Sequence, residues 1–385
     1  MKLALVRQRY NPYGGAERFV ARAAAALAAE GAAVTVFARD WRDGGDLRTV
    51  RCDPPYLGRV WRDWGFARAV CAALDRERFD LVQSHERLAC CDVYRAGDGV
   101  HRQWLENRAR ALGPAARLGQ RLNPYHRYVR AAEARLFASP RLRAVICNSR
   151  MVAAEIERHF GVARWRLHVI YNGVDLEHFR PALRDEHRAP MRARLGLAAD
   201  APALLFVGSG FARKGVDRLI AALAAGADRG AHLVVVGGDK DERRSRAHAR
   251  ARGVAARVHF AGPQQDVRPW YGLADAFALP TLYDPFPNAA LEALACGLPI
   301  VTSTQCGAAE LVRPGENGYV CDALDAPALA HACADVLRLA RDPHASAAAR
   351  ATAEPLEIGA MARRLLALYR ELLASRARDA AVTLA

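Results

Sequence analysis

Arg213 and Lys214 stand side by side in Gly208-Ser209-Gly210-Phe211-Ala212-Arg213-Lys214-Gly215, a glycine-rich stretch between an apolar run and a helical pattern. Glycines let the backbone come close to a ligand. Two adjacent cations can neutralise a phosphorylated leaving group as its bond breaks. Cations at a helix start oppose the helix dipole, a conflict that a bound anion removes. The stretch is not a Walker loop, because Lys214 is not followed by Ser or Thr. A dinucleotide fingerprint would want glycine where Arg213 stands.

A second group is acidic. Asp284 lies in Tyr283-Asp284-Pro285-Phe286-Pro287-Asn288, and Glu292 follows eight residues later in an apolar helical stretch. One carboxylate can accept from sugar hydroxyls, and the other can take a vicinal diol in bidentate fashion. A carboxylate in apolar surroundings is costly unless it has a ligand or a partner. Gly14-Gly15, between the first strand and the first helix, could aim backbone amides at an anion. The plainer reading of that pair is an ordinary tight turn. Asp239-Lys240-Asp241 has the form of a metal-binding Asp-x-Asp, but so short a match is weak, and Arg213 with Lys214 could supply the same positive charge.

The elements that position these residues come in two rounds. Strands are expected at 2–7, 34–37, 80–83, 144–147 and 167–170, with helices near 15–29 and 150–159. Further strands are expected at 203–208, 232–237, 257–260, 276–279 and 299–302. Helices are expected near 215–225, 241–252, 267–273, 288–296 and 325–341. The strand runs lack clean polar alternation, as in parallel strands covered on both faces. The pattern predicts an α/β chain of two doubly wound, Rossmann-like domains facing a central cleft, with ligands at the carboxyl ends of the strands. Residues 1–180 form the first domain, the polar, proline-containing 181–201 a linker, and 202–358 the second domain.

Charge is uneven. The net charge is +15, and residues 1–180 hold 31 Lys and Arg against 19 Asp and Glu. Residues 101–143 carry ten arginines and two acids, Glu106 and Glu133, interleaved with Trp104, Tyr125, Tyr128 and Phe137. Such a segment suits an anionic lipid surface, a phosphorylated glycolipid or nucleic acid, or it is simply a solvated helix face. Nine cysteines, with no Cys-x-x-Cys spacing, argue against a disulfide framework or a zinc site and for a reducing cytoplasm. No apolar run is long enough to span a bilayer, and the start is charged too soon for a signal peptide.

Taken together, these motifs resemble glycosyltransferase family 4, the retaining, metal-independent enzymes of GT-B fold. The resemblance rests on Gly14-Gly15-Ala16-Glu17-Arg18, Tyr171-Asn172-Gly173-Val174-Asp175 and Arg213-Lys214-Gly215, and further on Asp284 with Glu292, Ala295-Cys296-Gly297-Leu298-Pro299 and Gly315-Glu316-Asn317-Gly318. Within the family the chain looks most like the branch that transfers glucose to a lipopolysaccharide-core heptose. Val235-Val236-Gly237-Gly238-Asp239-Lys240 belongs to that likeness and accounts for Asp239 without a metal.

The resemblance implies a UDP-sugar donor, no metal or other cofactor, and a lipid-linked glycan acceptor. It places Gly208, Ser209, Arg213 and Lys214 on the donor diphosphate, and Glu292 on the ribose. Asp284, with the amides of Phe286 and Asn288, would hold the transferred sugar, and Gly14 and Gly15 would face the reacting centre. Asp98 and His101 are candidates on the acceptor side. Many members carry Glu where this chain has Asp284, so glucose is an inference. The stretch 359–385 would return as a helix to the first domain. The enzyme is expected in the cytoplasm, peripheral on the inner membrane and held there by 101–143, with no nucleic acid partner. A UDP-sugar epimerase and a non-catalytic polyanion-binding protein are the alternatives.

Overall fold

The computed structural model describes residues 1–9, 31–41, 47–226, 228 and 230–384, with side chains described up to residue 375. It divides into two units, Met1–Asn172 with Gly359–Ala385, and Gly173–Ile358.

The first unit is built on β1 (Lys2–Val6), β2 (Ala33–Ala38), β3 (Arg48–Arg51), β4 (Leu81–Ser84), β5 (Val93–Arg95), β6 (Ala144–Cys147) and β7 (Leu167–Val169). They form one parallel sheet in the order β3-β2-β1-β4-β5-β6-β7. Its helices are α1 (Gly58–Leu74), α2 (His101–Arg110), α3 (Pro114–Leu122), α4 (Pro124–Phe137) and α5 (Arg150–Phe160). The central strands are buried along their length, and Phe66, Val70 and Leu74 of α1 and Val152 and Ile156 of α5 close the same core. Pro at the first position of α3 and α4 fits there, since that N–H has no helical partner.

In the second unit the residues before the sheet form α6 (Leu183–Leu195), and the strands are β8 (Ala203–Val207), β9 (His232–Val236), β10 (Val258–Gly262), β11 (Ala276–Leu279), β12 (Ile300–Ser303) and β13 (Gly318–Cys321). They are parallel in the order β10-β9-β8-β11-β12-β13. Between and after them come α7 (Phe211–Lys214), α8 (Val216–Ala224), α9 (Glu242–Ala251), α10 (Arg268–Leu273), α11 (Asn288–Ala295), α12 (Ala326–Leu339) and α13 (Pro343–Ala353). The tail helix α14 (Ile358–Leu384) belongs to the first unit from Gly359 onward, where the Tyr369 hydroxyl donates to Gln83 on β4. Arg143 Nη2 likewise donates to Ser375 Oγ at 2.5 Å.

Two expectations are corrected. The stretch 181–201 is not a loose linker, because α6 runs through it with Pro190 inside. Its arginines recur every four residues on one face, and Arg184, Arg188 and Arg192 all reach Asp275, at 3.2, 2.8 and 2.7 Å. Arg192 is buried and also donates to the carbonyl oxygens of Leu273 and Ala201, so α6 is part of the second unit. The cysteines are not all thiols either: Cys71 on α1 is bonded to Cys90 before β5. Of the other seven, six are buried and Cys321 is half-buried.

The motif at 171–175 is explained where the chain passes from one unit to the other. Val174 N–H donates to Leu356 at 2.9 Å, and Ile358 N–H donates to Val174 at 3.0 Å. A Cβ on Gly173 would lie 2.6 Å from Ile358 Cα, so only glycine lets these two passes of the chain pair.

Candidate functional site

The loop after β8 begins with Gly208, whose N–H donates to Val236 at 2.9 Å. Its φ is +148°, and a Cβ there would lie 2.9 Å from Lys214 Nζ. The absent side chain is therefore what lets Lys214 fold back over the strand end. Exposed Ser209 and then α7 follow, with Arg213 and Lys214 in the short helix.

Asp239, after β9, fixes this loop. Its Oδ2 accepts from the N–H groups of Gly210 and Phe211 at 2.7 and 2.9 Å, and its Oδ1 from that of Asp241 at 2.8 Å. Burial works to raise its pKa, yet the three N–H groups and the Lys240 charge hold it below the ordinary carboxylate range. Asp239 thus spends both of its oxygens on backbone donors that shape the loop. Neither the metal pattern nor apolar periodicity foretells that role.

Asp284, in the connection from β11 to α11, meets the cations of α7. Its Oδ2 lies 3.3 Å from Arg213 Nη1 and 3.6 Å from Lys214 Nζ. Arg213 Nη1 also donates to the Tyr283 carbonyl at 2.7 Å. The Asp284 backbone accepts from Gly307 N–H and donates to Gln305, which pins the residue between two loops. The residue is 7% exposed, so the group is a largely desolvated carboxylate with two cations beside it. Buried Phe286 follows, and Asn288 opens α11.

Glu292, one turn along α11, is also 7% exposed. The partner that its apolar setting demands is Tyr271 on α10, whose hydroxyl donates to Oε2 at 2.9 Å. Tyr271 is itself buried, a positioning residue that the sequence reading does not include. Of the expected donor residues, Arg213 and Lys214 thus both meet Asp284, and Lys214 lies against Gly208, at the strand ends of the second sheet. Gly14 and Gly15 lie outside the described residues.

In the first unit Asp98 is more than half exposed, with Arg7 Nη1 at 4.0 Å from its Oδ2. His101 opens α2, where its N–H donates to buried Glu133 at 2.7 Å and its Nε2 lies 3.1 Å from His126 Nδ1. Burial and the charge of Arg87 push the His101 pKa down to about 3. The strand ends carry a cluster that the sequence reading missed. Arg7 follows β1, His85 follows β4, and Arg95 ends β5. Burial, then Arg95 and Arg7, hold His85 well below the usual imidazole range. Only the pairing of β1, β4 and β5 assembles these residues, so no local motif announces them.

The two histidines predict a pH effect. As pH falls from about 6.5, the unfolded chain takes up protons that His85 and His101 refuse in the folded state, so stability declines toward pH 3. His101→Gln should flatten that decline, measured as urea unfolding free energies at pH 7 and 5. An unchanged pH dependence would remove His101 as a contributor.

Two all-parallel sheets flanked by helices, with adjacent cations and a buried carboxylate at the strand ends of the second, define a glycosyltransferase of GT-B fold. The chain belongs to glycosyltransferase family 4: the family model described as Glycosyltransferase Family 4 matches residues 13–178, and that described as Glycosyl transferases group 1 matches 201–339. Among relatives, the lipopolysaccharide glucosyltransferase WaaG of Escherichia coli (strain K12) is 28% identical over 83% of this chain and 85% of its own. D-inositol 3-phosphate glycosyltransferase 1 of Catenulispora acidiphila is 36% identical over 59% of this chain and 56% of its own. A crystal structure of WaaG, described as a glycosyltransferase involved in lipopolysaccharide biosynthesis, superposes with a TM-score of 0.79. It is 25% identical and covers 94% of this chain and 98% of that one. Glycosyltransferases of this kind bind nucleotide-sugar donors and glycan acceptors.

Proposed function

We propose that the protein is a retaining glycosyltransferase that moves a hexose, glucose from UDP-glucose, onto a heptose of lipopolysaccharide core or a similar lipid-linked glycan. The observation that carries this reading is the contact of Arg213 and Lys214 with Asp284. In that cluster a donor diphosphate meets two cations, and a sugar hydroxyl meets a carboxylate. The transition state is oxocarbenium-like, and the diphosphate departs toward Arg213 and Lys214. A front-face displacement, in which the departing phosphate helps take the acceptor proton, needs no protein nucleophile. The same reading assigns Gly14 and Gly15 to the reacting centre, the amides of Phe286 and Asn288 to the transferred sugar, and Asp98 and His101 to the acceptor side. Metal independence belongs to the same reading, since the two cations supply the positive charge. The similarity to WaaG supports the acceptor class, while the inositol-phosphate relative keeps other acceptors in the test. Incubation with a panel of UDP-sugars, truncated lipopolysaccharide acceptors and EDTA decides: labelled glucose on heptose in the presence of EDTA supports the reading. UDP-sugar conversion without an acceptor, or abolition by EDTA with rescue by Mn²⁺, overturns it.

The enzyme acts at an anionic membrane surface. Among the described residues no helix is long and apolar enough to cross a membrane. The helix α3 buries none of its residues and presents Leu118 and Leu122 at 58% and 67% exposure beside Arg117 and Arg121. Apolar side chains flanked by arginines suit an interfacial helix. Leu118→Asp with Leu122→Asp should weaken binding to phosphatidylglycerol vesicles about tenfold or more, read by co-sedimentation. Binding as tight as the parent's would assign the contact elsewhere.

A further inference from the structure

The basic segment holds more than a charged face. Between α2, α3 and α4 lies a cavity of about 340 Å³. Arg102 reaches it from α2, Arg121 from α3, and Arg127 and Arg130 from α4. The one carboxylate on its wall, Glu106, is engaged by Arg102 at 3.3 Å. Among the described residues Arg121, Arg127 and Arg130 have no acidic partner. α3 and α4 therefore bring three guanidinium groups together beside a single carboxylate that Arg102 already engages, an arrangement that an anion relieves. Guanidinium groups pair with phosphoryl oxygens in bidentate fashion, which gives the site a chemical preference as well as a charge. Gln120 of α3 also lines it, with its Nε2 donating to the Leu105 carbonyl at 2.9 Å.

We propose that this cavity is a discrete binding site for a phosphoryl group, carried either on a glycerophospholipid headgroup or on a phosphorylated sugar. The proposal rests on the reading of 101–143 as a surface that meets anions, and it narrows that reading from a diffuse field to one site.

The test uses the full chain and two kinds of probe, soluble glycerol 1-phosphate and glucose 1-phosphate, and phosphatidylcholine vesicles with and without phosphatidylglycerol. Arg127→Gln with Arg130→Gln removes the α4 side of the site. Arg135→Gln, an exposed arginine of the same helix that is not on the cavity wall, is the control for lost charge. Circular dichroism melting confirms that each variant folds. The cavity variant is expected to lose about tenfold in affinity for the soluble ester that binds, and Arg135→Gln to stay within about twofold. Binding of glycerol 1-phosphate assigns the lipid headgroup, and binding of glucose 1-phosphate assigns a phosphorylated sugar. The proposal is overturned if neither ester binds, or if Arg130→Gln and Arg135→Gln weaken vesicle binding equally. If the parent chain does not distinguish anionic from neutral vesicles, the membrane reading fails. Loss of ester binding in the cavity variant would still uphold the site.

Discussion

Lys214→Ala is expected to lower the turnover of sugar transfer by about 10²–10³-fold at saturating donor, and Arg213→Ala by a similar factor. Both cations lie within 4 Å of Asp284, so the carboxylate holds them at the strand end before any ligand arrives. Negative charge on a diphosphate leaving group grows as the glycosidic bond breaks. An interaction that strengthens in that state sets kcat, whereas one made equally with the bound donor sets KM alone. The loss should therefore fall mainly on kcat, measured by UDP release at several donor concentrations. Lys214→Arg keeps the charge but not the shape of a point cation, and it should recover part of the activity. Asp284 retains one cationic neighbour in either single variant, so circular dichroism should report an intact fold. Turnover within a few-fold of the parent in both alanine variants would remove the diphosphate from this loop.

The strands that carry this site were legible because each contains a short apolar run, unbroken in β8 and β11, preceded by His232 in β9 and followed by Thr302 in β12. The less apolar strands gave no such signal. Arg48–Arg51 is a sheet edge with arginine at both ends, and Val93–Arg95 is three residues long and ends in a buried arginine. Gly318–Cys321 starts on glycine. Proline density made 181–201 read as a linker, while its arginines, spaced four apart, were the better guide because they find Asp275. The pair of Cys71 and Cys90 depends on where α1 packs, which no spacing rule encodes. Chemistry-bearing types within one loop, such as Arg213 and Lys214, could be read in place. Asp239 and Tyr271 could not, because each works on a residue at least twenty positions away, across the sheet or between helices.

Glu292→Ala should raise the donor KM about 10²-fold with a smaller change in kcat. A charged acceptor that holds two hydroxyls of a ribose makes two charge-assisted hydrogen bonds, and it makes them equally before and during bond breaking. Tyr271 donates to Oε2 from a buried position, so it fixes the carboxylate without touching the reacting atoms. Tyr271→Phe should accordingly raise KM only a few-fold and leave kcat unchanged. The assignment to the ribose, as against a purely structural pair with Tyr271, is separable with a donor that lacks the 2′-hydroxyl. The parent enzyme should bind that analogue more weakly than UDP-sugar, whereas Glu292→Ala, having already lost the acceptor, should bind the two alike. If the analogue's penalty persists undiminished in Glu292→Ala, the carboxylate serves Tyr271 and α11 rather than the nucleotide.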